Sequence, residues 1–183
     1  AVYWAAQNGI TKGYSDGTFG IERSAERREM MIFLWRMAGK PGSITDPTKV
    51  FSDMDKYGPE TATYQAVAWG YESGIVKGYP DGTFRPEAPL ARKDIMIMIY
   101  RLAGKPQASG SISYTDVNYN AKQNPDTYGS ILWADKNGIA NDYGDGTFRP
   151  LDDCLRQDIV TFIYRAQDTI KEGIVTADDA IKS

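Results

Sequence analysis

Gly9-Ile10-Thr11-Lys12-Gly13-Tyr14-Ser15-Asp16-Gly17-Thr18-Phe19 decides the fold, because the chain states it three times. It returns as Gly74-Ile75-Val76-Lys77-Gly78-Tyr79-Pro80-Asp81-Gly82-Thr83-Phe84 and as Gly138-Ile139-Ala140-Asn141-Asp142-Tyr143-Gly144-Asp145-Gly146-Thr147-Phe148, at spacings of 65 and 64 residues. A Trp stands five residues before each opening Gly (Trp4, Trp69, Trp133). Eight residues after each Phe stands an Arg (Arg27, Arg92, Arg156), and nine further on a second Arg (Arg36, Arg101, Arg165). Self-similarity at a fixed period marks a repeat architecture. Upstream, an aromatic-x-Asp marker opens copies two and three as Phe51-Ser52-Asp53 and Tyr114-Thr115-Asp116. Copy one begins only three residues before Trp4, so we expect the original polypeptide to extend before Ala1 and the first Trp helix to be truncated. Ile174, Val175 and Ile181 of the last segment are the expected cover for it.

Each copy reads as helix, loop, helix. The first helix, over about 61–73 and 127–137, has apolar residues at helical spacing (Tyr64, Val67, Ala68, Tyr71; Tyr128, Ile131, Leu132). It stops at Gly-Ile, where Gly suits a left-handed C-terminal position and Ile folds back on the last turn. Asp-Gly in the next segment signals a tight turn, and Thr-Phe returns an anchor to the core. The second helix, over 27–38, 92–103 and 156–167, is apolar nearly all round, as in Ile95-Met96-Ile97-Met98-Ile99-Tyr100. A helix without a polar face is a buried helix. One copy is too small to enclose it, whereas three such helices enclose one another. The expected fold is therefore all-α: three helix-loop-helix repeats in a pseudo-threefold arrangement around a central three-helix bundle. Residues 1–183 would form one module, with repeats at 1–40, 50–105 and 113–168 and a C-terminal tail at 169–183. Residues 39–47 and 104–110 serve as connectors.

Composition narrows the chemistry. The 183 residues are 42% apolar and carry 21 Lys+Arg against 24 Asp+Glu, a net charge of -3, so there is no basic field for a nucleic acid. No apolar run approaches a membrane span. With no histidine, Ser-His and Cys-His nucleophiles and the usual zinc sites are excluded. Cys154, the single cysteine, fits a buried structural role. Asp16, Asp81 and Asp145 lack the alternating acids and distant Glu of a calcium loop and read as turn residues. No carboxylate pair stands out as catalytic, so neither an enzyme nor a metal or other cofactor is expected.

Phe-x-Asp, a Trp-bearing helix, Gly-Ile-x-x-Gly-Tyr-x-Asp-Gly-Thr-Phe-x-Pro and an Arg-led second helix together resemble the S-layer homology (SLH) domain over almost the whole chain. That resemblance implies grooves between neighbouring copies that hold secondary cell-wall polysaccharide, often through a pyruvylated N-acetylmannosamine. It implies a secreted protein at the bacterial cell wall or S-layer, in which this module anchors a larger surface protein. An alternative is a structural or protein-protein assembly module with degenerate glycan sites. The two differ in whether the arginines face open grooves or are tied up by acids.

Arg27, Arg92 and Arg156 match the Arg of the family's Thr-Arg-Ala-Glu motif. In the first turn of a helix a cation opposes the macrodipole, yet a guanidinium beside helix N–H groups makes a receptor for a carboxylate such as the pyruvyl ketal. The motif's Thr is absent in all three copies, so Ser24, Asp152 or Asp153 is the expected cap. Glu29, Asp94 and Asp158 suit the helix N-terminus by charge, and Arg36, Arg101 and Arg165 suit the C-terminus. Tyr14, Tyr79 and Tyr143 are the expected groove lining, with Lys12 and Lys77 adding positive charge. Copy three has Asn141 and Asp142 instead. Pairing each Arg with its own copy's loop ranks Arg92 strongest and Arg156 weakest. The Trp residues read as core.

Overall fold

The Gly-Ile steps end helices as expected. Ile10, Ile75 and Ile139 donate their backbone N–H to Ala5, Gly70 and Ala134 at 2.9, 2.8 and 2.9 Å, and Gly9, Gly74 and Gly138 hold φ of 67, 72 and 62°. A computed structural model describes the backbone of residues 1–182 and the side chains of 1–174. It is all-helical: α1 (Val2–Gln7), α2 (Arg27–Met37), α3 (Ala62–Glu72), α4 (Arg92–Leu102), α5 (Pro125–Lys136) and α6 (Arg156–Lys182). Among the described residues there is no named strand, only three isolated antiparallel bridges, and no helix is long and apolar enough to cross a membrane.

Two compact units are present, Ala1–Leu90 with Leu155–Gln157, and Ala91–Cys154 with Asp158–Ser183. Their limits cut across the sequence repeats for a physical reason. In the first unit α2 of copy one packs on α3 of copy two, and in the second α4 of copy two packs on α5 of copy three. A second helix thus finds its partner in the following copy. In the first unit, Met30, Met31, Leu34, Ala66 and Val67 are completely buried. Gly70 lets the helices approach, since a Cβ there would collide with the Met31 methyl. In the second, Ile95, Met96, Ile99 and Ile131 are completely buried, and the Tyr100 and Trp133 rings pack with their centroids 5.8 Å apart. Each such aliphatic side chain contributes roughly 1.5–3 kcal/mol. Trp69 and Trp133 are core residues, whereas Trp4 on the six-residue α1 is half-buried.

The end of copy three departs from the sequence reading. α2 and α4 stop at Gly39-Lys40 and Gly104-Lys105, all four at positive φ. Copy three has Asp168-Thr169 there, no stop signal, and α6 continues through the segment read as a tail. Ile170 is fully buried, and Gly173 passes so close to Ala103 that a Cβ would lie 2.6 Å from its carbonyl carbon. Of the three expected cover residues, Ile174 is half-buried, and the side chains of Val175 and Ile181 lie outside the described residues.

Candidate functional site

The loop after each first helix is one compact turn. Tyr14, Tyr79 and Tyr143 donate their backbone N–H to the carbonyls of Thr18, Thr83 and Thr147. Asp16, Asp81 and Asp145 each accept from the backbone N–H and hydroxyl of the Thr two residues on, at 2.6–3.0 Å. These are turn residues, and those hydrogen bonds lower the pKa of all three. The Asp81 and Asp145 carboxyls fall to about 2, chiefly through the Thr hydroxyls and next through Arg85 and Arg149.

Each loop receives the leading Arg of a different copy. Arg27 donates Nε–H to the Phe84 carbonyl at 3.0 Å, Arg92 to Phe148 at 2.8 Å and Arg156 to Phe19 at 2.9 Å. The guanidiniums lie over Tyr79, Tyr143 and Tyr14 at 4.9, 4.7 and 4.5 Å from the ring centroid. All three are buried, with 4–6% exposure. So copy one's Arg works with copy two's loop, copy two's with copy three's, and copy three's with copy one's. This corrects the expectation that each Arg serves its own copy: Lys77 and Gly78 belong with Arg27, and Asn141 and Asp142 with Arg92.

The helix N-termini are also satisfied differently. Among the described residues none of Ser24, Asp152 and Asp153 caps through its side chain. Loop carbonyls take the first N–H groups: Arg27 and Arg28 donate to Ala88 and Pro86, Arg92 and Lys93 to Asp152 and Pro150, and Arg156 to Arg23, at 2.8–3.1 Å. Those N–H groups are therefore occupied, and an anion at these stations would meet guanidinium and side-chain groups instead. Glu29 closes part of a capping box by accepting from the Glu26 N–H at 3.1 Å.

The three stations differ in charge. At Arg156, Nη1 donates to Glu29 Oε1, which also accepts from the Tyr14 hydroxyl at 3.1 Å. Burial and then the Glu29 carboxylate raise the Tyr14 pKa. At Arg92, Nη2 reaches the Asn141 carbonyl at 3.5 Å, and Cys154 nearby is fully buried, its thiol pushed up to about 12 by burial. Beside this loop a groove of about 450 Å³ is lined by Tyr114, Asn141 and two acids, Asp135 and Asp142, a poor setting for an anion. The Arg27 station has Lys77 on its loop. Lys77 and Lys12 are exposed, with no hydrogen bond or ion pair among the described residues.

Sequence reasoning missed a second cation at each Tyr. Arg85 lies over Tyr79 at 4.0 Å, Arg149 over Tyr143 at 4.1 Å and Arg23 over Tyr14 at 4.4 Å. The signal was the Arg that follows Phe84 and Phe148 directly. The C-terminal arginines hold neighbouring elements: Arg36 and Arg165 donate to the Ile10 and Ile139 carbonyls of their own copies at 3.1 Å, whereas Arg101 pairs with Asp126 of copy three at 2.7 Å.

The S-layer homology domain model matches residues 1–31, 50–95 and 121–159, more than half of the chain. The chain is 31% identical over 124 residues to a cellulosome-anchoring protein of Acetivibrio thermocellus, covering 66% of this chain and 27% of that protein. It is 27% identical over 168 residues to cell surface glycoprotein 1 of the same organism, covering 85% and 7%. A middle cell wall protein of Brevibacillus brevis is 29% identical over 105 residues, covering 56% and 10%. The chain thus spans 27% or less of these relatives' lengths. With the three loops, their Trp helices and the starts of the Arg-led second helices all matched in order, the chain belongs to the S-layer homology domain family.

Proposed function

We propose that the chain is a non-catalytic anchor that attaches a larger secreted protein to the bacterial envelope by binding anionic secondary cell-wall polysaccharide at its Arg-Tyr stations. As an S-layer homology chain it is a component of the cell surface or cell wall. The observation that carries the binding reading is the station built three times, with a guanidinium over the loop Tyr and its Nε–H on the loop Phe carbonyl. Such repetition suits a polymer, because several weak sites on one chain act at high effective concentration. Arg27 with Tyr79 and Lys77 is the strongest candidate, and Arg156 with Tyr14 and Lys12 is next. Arg92 with Tyr143, beside Asp142, is the weakest. A pyruvyl ketal carboxylate is the anion this chemistry fits.

The assembly reading gains support at the Arg156 station, where Glu29 pairs with the guanidinium. Calorimetry with purified wall polysaccharide, before and after chemical removal of pyruvyl groups, separates the two. Binding that needs the pyruvyl groups, weakens in salt and falls several-fold in Lys77→Ala supports the glycan anchor. Equal binding to both preparations, unchanged by Lys77→Ala and Lys12→Ala, would sink it.

A further inference from the structure

In the first unit a pocket of about 330 Å³ lies between the last turns of α2, the connector that follows it and the first turns of α3. Its Trp35 stands eight residues after Arg27, about 12 Å along the helix, so the pocket is separate from the Arg-Tyr stations. Trp35, Tyr64, Pro41 and Pro59 form apolar walls, Lys40 and Gln65 stand at the rim, and no lining residue is acidic. Internal hydrogen bonds hold the walls. The Trp35 indole N–H donates to the Pro41 carbonyl at 2.9 Å, the Tyr64 hydroxyl to Asp46 Oδ1 at 3.1 Å and the Gln65 amide N–H to the Pro59 carbonyl at 3.1 Å. Glu72 fixes the connector by accepting from the Ser43 hydroxyl, the Ile44 N–H and the Thr45 hydroxyl.

The matching corner of the second unit holds a carboxylate that this one lacks. There Lys105, four residues after Arg101, donates to Asp126 at 2.9 Å, and Arg101 pairs with the same carboxylate. Lys40 likewise stands four residues after Arg36. Asp126 precedes Trp133 by seven residues, but the residue seven before Trp69 is Ala62. Lys40 is exposed, and its ammonium has no hydrogen bond or ion pair among the described residues. Arg36 donates to the Ile10 carbonyl instead. The aromatic wall differs as well. In the second unit the Tyr100 hydroxyl lies over Gly129, 2.9 Å from where a Cβ would be, whereas the first unit has Trp35 and Gln65 at these places.

We infer that this pocket is a further binding site, for a sugar residue that carries a carboxylate. The apolar face of the sugar ring would lie on Trp35 and Tyr64, and the carboxylate would take the Lys40 ammonium as Asp126 takes Lys105. The Gln65 side-chain carbonyl, which accepts no hydrogen bond among the described residues, would take a ring hydroxyl. The volume suits one such residue of a longer chain. The inference rests on the anchor reading for the source of the sugar, the wall polysaccharide, and on none of the station residues.

The test uses purified wall polysaccharide cut to fragments of two to four sugars, with their carboxylates intact or reduced to alcohols. Binding is followed by NMR at the Trp35 indole N–H, assigned by its loss in Trp35→Phe, and at the backbone amides of Lys77 and Tyr79 for the Arg27 station. Acidic fragments should shift the indole signal to saturation, and reduced fragments should bind at least fivefold more weakly. Lys40→Ala should weaken the indole response about tenfold. So should Ala62→Asp, which supplies the missing carboxylate from the first turn of α3, where an acid agrees with the helix dipole. Lys77→Ala should leave this response unchanged. A silent indole, or equal responses from reduced fragments or from Lys40→Ala, would overturn the inference. Fragments that moved the Lys77 and Tyr79 amides alone would reject this pocket and leave the anchor reading standing, while an indole response without them would do the reverse. If sodium acetate, or the peptide Ala-Pro-Pro-Ala with a free carboxylate, matched the fragments at equal concentration, the sugar occupant would be wrong.

Discussion

Truncating Arg27 to Ala should damage the fold before it reports on binding. The substitution removes the Nε–H bond to the Phe84 carbonyl, a charge-assisted bond worth about 1.5–3 kcal/mol. It also removes a cation held over Tyr79 and over Phe84 at 4.9 and 5.0 Å, worth up to about 2 kcal/mol in a desolvated site. Relief of the guanidinium's own desolvation offsets part of this. A net loss of about 3 kcal/mol follows, which in a chain of this size lowers the melting midpoint by roughly 6–12 °C. Lys77→Ala makes the contrast, because an exposed side chain without partners should change stability by less than about 0.5 kcal/mol. Urea denaturation followed by tryptophan fluorescence measures both. Arg27→Lys should recover less than half of the loss, since an ammonium cannot lie flat on the ring while donating to the carbonyl. An Arg27→Ala chain within about 1 kcal/mol of the parent would refute the reading of this residue as a buried anchor.

Acid should weaken the loops in a definite window. The Asp81 and Asp145 carboxyls sit at about 2 in the folded chain against about 3.9 unfolded, so the stability they contribute is whole above pH 4 and is lost as the pH falls towards 2. The melting midpoint should fall across that interval, less steeply in Asp81→Asn; an equal slope would count against the assignment. Ile99→Asp, which puts a charge at a fully buried position of the second unit, should cost more than about 4 kcal/mol and abolish its near-ultraviolet signal; a native signal would contradict the packing described. Gly78→Ala should cost roughly 1–3 kcal/mol more than Gly17→Ala in the same urea assay. Both glycines have positive φ, but only at 78 would the new methyl collide with the Phe51 ring and lie 2.9 Å from a backbone oxygen.

The helices were legible because their signals are local. Gly-Ile stops, Asp-Gly turns and an apolar run such as Met30–Trp35 each state their own conformation, and every second helix begins at the Arg that the repeat spacing marks. What lay beyond the sequence was partnership. Nothing in the order of residues says that Arg27 meets Tyr79 instead of Tyr14, because both are the same residue in the same string. The missing Thr caps pointed to Ser24 or the two aspartates, since side-chain caps leave a mark in the sequence, whereas the carbonyls of Ala88 and Pro86 that replace them leave none. The long α6 is the reverse case. Its cue, the absence of Gly-Lys at 168–169, stands in the sequence, but the periodic comparison with copies one and two points the other way.

The offset between sequence copy and packing partner alters what counts as an exchangeable part. A loop and the arginine that seats on it come from different copies, so replacing one copy by that of a relative changes two stations: the one whose loop it brings and the one whose Arg it brings. Chimeras joined between repeats would mismatch both. Chimeras that keep α2 through the Phe84 loop intact would move a whole station, Arg27 with Tyr79 and Lys77, as one inheritable piece.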